Sequence, residues 1–60
     1  MEKKVKYKHD TDYKITIVYK SGKKVSKVFK GKEMEEKIKI INQHKSKIKY
    51  YFIETMVIHL

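Results

Sequence analysis

The sequence predicts an α+β fold of order βββαβ: a three-stranded antiparallel meander, one helix packed on its apolar face, and a fourth, C-terminal strand. Three observations lead there. Before Gly31, apolar residues recur every second position, the period of half-buried strands. After Gly31 the interval lengthens to i, i+4, i+7, one stripe of a helix. From Ile48 onward, β-branched and aromatic side chains crowd together. With no proline and only two glycines in 60 residues, nothing marks a linker or repeat, and residues 1–60 read as a single small domain.

The first strand is expected at KVKYKH, residues 4–9, with Val5, Tyr7 and His9 on one side and Lys4, Lys6 and Lys8 on the other. Asp10-Thr11-Asp12 supplies turn chemistry. The second strand is YKITIVY, with Tyr13, Ile15, Ile17 and Tyr19 facing inward. Ser21-Gly22 marks the next hairpin, and parity fixes its register, because residues that share a face must stay opposite across the loop. Ile17 opposite Val25 and Tyr13 opposite Phe29 require an odd loop, which Lys20-Ser21-Gly22 provides as a type I turn closed by glycine. The same reasoning sets Tyr7 opposite Ile15 and Val5 opposite Ile17.

The helix is expected from about Lys32 to Lys45, with Met34, Ile38 and Ile41 as its core stripe. Glu33, Glu35 and Glu36 sit near its start and Lys45 and Lys47 near its end, each sign suited to the helix dipole. No strong N-cap precedes it unless Gly31 serves. Rich in isoleucine and without alanine, it depends on packing against the sheet.

The fourth strand, Ile48 to Ile58, is apolar on both sides. If its even positions pack under the helix, Tyr51, Ile53 and Val57 are left in water, and a second copy of the chain is the simplest cover. A homodimer through those three residues is therefore expected, in keeping with the small core that so short a chain can build.

The stretch from Tyr13 to Gln43 is similar to the hairpin-then-helix part of the arm-binding domains of phage-type integrases, in its turn glycine, basic second hairpin strand and Lys-Glu opening of the helix. The strong terminal strand departs from that family's ending, and no DNA contact is carried over.

Sixteen lysines against seven acidic residues give a formal net charge of +9, which favours an anionic partner, a nucleic acid or an acidic protein surface. The outward meander face would gather Lys4, Lys6, Lys8, Lys14, Lys20, Lys24 and Lys30, with Thr16, Ser26, Val18 and Val28 between them. Such a row could follow phosphates, whereas Tyr7, Tyr13 and Tyr19 point the other way, so contact with the backbone is expected in place of base stacking. Without arginine there is no bidentate guanine reader. The same lysines equally suit a plain wet sheet face.

His9, Asp10, Asp12, His44, Lys45 and His59 form no recognisable catalytic constellation, and HExxH, a glycine-rich phosphate loop and cysteine are all missing. No catalytic, metal or cofactor-binding residue is assigned, and no small-molecule substrate is expected. The amino terminus has no apolar segment of the secretory kind, and Glu54 interrupts a closing run too short to cross a membrane. A cytoplasmic location without membrane association is expected. These features predict a small non-enzymatic basic binding module, an accessory or regulatory protein that engages a nucleic-acid backbone. The alternative is a phage- or plasmid-type inhibitor or adaptor that blocks a host protein through its sheet edge or basic face.

Overall fold

The computed structural model describes residues 6–56. Strand β1 (Asp12–Tyr19) turns into β2 (Lys24–Lys30), helix α1 (Gly31–Gln43) follows at once, and a 3-10 turn (Lys45–Lys47) leads into β3 (Ile48–Met56). The sheet order is β2-β1-β3. Both outer strands run antiparallel to β1, so they are parallel to each other, and α1 carries the chain from one edge across β1 to the other edge. The architecture is ββαβ.

The β1–β2 hairpin has the register expected from parity. Ile17 lies opposite Val25 and Tyr13 opposite Phe29. Tyr19 donates its N–H to the Lys23 carbonyl at 2.8 Å, closing a three-residue loop in which Gly22 adopts φ +97°, a conformation that favours glycine. The helix is also as expected in its stripe: Met34 and Ile41 are buried and Ile38 is half-buried. They pack over Tyr13, Ile15 and Ile48, with Tyr7, Ile17, Tyr19, Phe29, Tyr51 and Ile53 around them. Lys37 sets its ammonium 5.1 Å from the Phe29 ring centre, a further tie between helix and sheet.

Two expectations are corrected. No strand forms over the described part of residues 4–9, since Lys6 to Lys8 are irregular; Lys4 and Val5 lie outside the described residues. The edge of β1 that this strand was to occupy is taken by β3, which pairs along the whole of β1 from Asp12 opposite Met56 to Tyr19 opposite Ile48. The physical reason is side-chain content: β3 brings apolar and aromatic groups to both sheet faces, whereas 4–9 offers lysine at every second position.

The preceding segment packs on the helix side instead. Tyr7 meets Tyr13 edge to face at 5.0 Å, and the Lys8 N–H donates to the Tyr13 hydroxyl at 2.8 Å. The carbonyls of Thr11 and His9 then accept the N–H groups of Gly31 and Lys32 at 2.8 and 3.2 Å. Main-chain oxygens thereby satisfy donors that every helix start leaves open, where the sequence offers no strong capping side chain. Glu33 adds to this by accepting the Lys30 N–H at 3.4 Å.

The second correction concerns parity in β3. Val18 pairs with Tyr50 but Tyr19 pairs with Ile48, so Lys49 is an extra residue, a β-bulge. Counting by twos fails across it. Ile48 is buried toward the helix, yet beyond the bulge it is Tyr51 and Ile53 that pack on the core, while Tyr50, Phe52, Glu54 and Met56 are exposed. The face assigned to a dimer contact through Tyr51 and Ile53 is thus the helix-covered one; Val57 lies outside the described residues.

Candidate functional site

The helix covers one side of the sheet, and the other is open among the described residues. On the open side the register aligns residues in rows across β2, β1 and β3: Lys24, Val18 and Tyr50; Ser26, Thr16 and Phe52; Val28, Lys14 and Glu54; Lys30, Asp12 and Met56. Thr16, on the central strand between Ser26 and Phe52, is only 2% exposed, and its hydroxyl shares a hydrogen bond with that of Ser26 at 3.1 Å. Large apolar groups around it are open to solvent. Tyr50 is 51% and Phe52 41% exposed, and their rings lie nearly parallel, 6.4 Å apart at 22°.

Charge is unevenly spread along the strands. At one end lie the β1–β2 loop, the 3-10 turn and the start of β3, held together by the Lys20 N–H donating to the Lys47 carbonyl at 3.0 Å. This end carries Lys20, Lys23, Lys24, Lys45, Lys47 and Lys49, all exposed, and no Asp or Glu occurs in 19–25 or 42–50. Lys20, Lys45 and Lys49 line an open hollow of about 690 Å³ that reaches Tyr50. The six acidic residues in the described range, Asp10, Asp12, Glu33, Glu35, Glu36 and Glu54, all fall toward the opposite end, where β1 and α1 begin and β3 finishes.

The lysines singled out in the sequence therefore separate. Lys20 and Lys24 belong to the acid-free end. Lys14 stands opposite Glu54, and Lys30 pairs with Asp12 at 3.1 Å, so both have acidic neighbours on the open face. Lys6 and Lys8 lie with the irregular segment that joins the helix side, and Lys4 is outside the described residues. Sequence reasoning missed Lys23, and it missed Lys45, Lys47 and Lys49, whose alternate spacing around the start of β3 was the available signal, and the outward turn of Tyr50 and Phe52.

The remaining tyrosines face the helix side. Burial pushes the Tyr7 phenol above its ordinary value of 10.0, and the neighbouring phenols of Tyr51 and Tyr13 act in the same direction. Acid–base groups are dispersed: His9 contacts Asp10 at 3.3 Å in the loop beside the helix start, whereas His44 follows the helix end, roughly 20 Å of helix away. His59 lies outside the described residues. Among the described residues no three His, Cys, Asp or Glu side chains are grouped to hold a metal ion, and no helix is long and apolar enough to cross a membrane.

Comparison with protein-family models, with curated proteins and with solved structures finds no match. None of these comparisons supports the resemblance of Tyr13–Gln43 to integrase arm-binding domains.

Proposed function

We propose that this chain is a small, non-catalytic binding module that takes hold of a nucleic-acid backbone with its lysine-rich end. One observation carries the reading: six exposed lysines converge on the β1–β2 loop, the start of β2, the 3-10 turn and the bulge of β3, with no carboxylate among them in the described residues. Held without an anion, such a group repels itself; phosphates relieve that repulsion and release counterions as they bind. Lys20 and Lys24 remain in the proposed contact, joined by Lys23, Lys45, Lys47 and Lys49. Lys14 and Lys30 are secondary because acidic neighbours already offset them.

The test is titration of duplex DNA and RNA at several salt concentrations. Affinity should fall steeply with salt, and neutralising Lys20, Lys24 and Lys47 to Gln should make the log–log slope shallower by about 2 to 3 on duplex, at about 0.9 per phosphate contact. Absence of binding even at low salt would remove the proposal.

A specific feature also favours a protein contact. β3 is an edge strand of nine residues whose outer side pairs with nothing among the described residues. A second copy pairing there would extend the sheet and leave the open face accessible, and this is the dimer proposed here in place of one built on Tyr51 and Ile53. A host protein contributing a strand to the same edge is the inhibitor or adaptor alternative.

A further inference from the structure

We infer that the open sheet face binds single-stranded nucleic acid, with bases stacked on Tyr50 and Phe52 while their phosphates lie toward the lysine end. This inference rests on the nucleic-acid reading above and narrows its ligand class. Three features point to a single strand. Two aromatic rings on alternate residues of β3 are each about half exposed, nearly parallel and 6.4 Å apart, so bases can stack against them in the same orientation. A protein gains little by leaving such rings in water unless something flat and apolar covers them.

The second feature is what surrounds them. Val18 and Lys24 share Tyr50's row, and the hollow that runs from Tyr50 round the β3 edge to Ile41, Ile48 and Tyr51 on the helix side carries Lys20, Lys45 and Lys49, so phosphates leaving the stacked bases over that edge come within reach of cations. The third is direction. Beyond Phe52, Glu54 and Asp12 offset Lys14 and Lys30, so a strand that continues that way gains little net attraction. Bases over Tyr50 and Phe52 with the backbone rising toward the β1–β2 loop and the 3-10 turn is the path that charge permits. A duplex, whose bases are stacked on one another, cannot use the rings. Every base has a π-face, so the contact tolerates any sequence and either sugar.

The experiment compares a ten-nucleotide single strand, as DNA and as RNA of one sequence, with the matching DNA duplex. Single strands should bind more tightly than the duplex at equal salt. Tyr50→Ala and Phe52→Ala should each weaken single-strand binding about ten-fold and leave duplex binding and the salt slope unchanged, because no charge is removed. Since Phe52 borders the buried Thr16, Phe52→Leu is included to keep apolar cover while removing the ring, and it should lose affinity as Phe52→Ala does; circular dichroism verifies that each variant folds. Duplex binding as tight as single-strand binding, or single-strand binding indifferent to both rings, would overturn this inference and leave the electrostatic reading standing. No binding to any of the three would overturn both.

Discussion

Gly31 owes its place to a neighbour's carbonyl. Its backbone is ordinary helix, but a Cβ added there would lie 1.8 Å from the Lys8 oxygen and 3.2 Å from the Tyr13 ring. Alanine normally favours a helix over glycine by up to about 1 kcal/mol, whereas a backbone clash forces the helix start and the 6–11 segment apart. The clash dominates because main chain cannot give way as a flexible side chain can. Gly31→Ala is expected to destabilise the fold by about 2 kcal/mol in urea unfolding, through loss of the carbonyl caps and of Tyr7 from the core. An unchanged midpoint would mean that the segment does not press on the helix. The importance of this glycine was half legible: its position before the helix stood out, but the close approach depends on a chain segment that the sequence had assigned to a strand.

At the scale of elements, the outcome turned on which segment closes the free side of β1. The β1–β2 hairpin and the helix were legible because short-range rules set them: loop length, alternation and the i, i+4, i+7 stripe all refer to neighbours in sequence. The contest between residues 4–9 and β3 is long-range, and alternation alone does not rank two candidate partners. The bulge at Lys49 was hidden for a related reason: a run apolar on both sides gives no pattern from which a parity change can be read. A direct test follows. Ile53→Lys places a charge against the helix-covered core, so it is expected to cost about 3 kcal/mol or to unfold this small domain, measured by thermal melting. Were Ile53 an outward dimer contact, the variant would retain most of its monomer stability and lose only association.

At the scale of the whole molecule, one helix on three strands leaves one sheet face uncovered among the described residues and sets a charge gradient along the strands. The net charge was visible from composition, but its gathering at one end was not, because it needs the crossover that brings residues 45–49 beside residues 20–24. If the outer edge of β3 joins a second copy, sedimentation at micromolar concentration should give about twice the 7.3 kDa chain mass. A strict monomer would leave that edge to a foreign strand or to none. The placement of β1 at the sheet centre also bears on biosynthesis. A ribosome delivers β1 well before its second partner, so the nascent polypeptide must hold an incomplete sheet until the Ile48–Met56 segment emerges from the exit tunnel. A product truncated before that segment would expose the flank of β1 to chaperones and proteases.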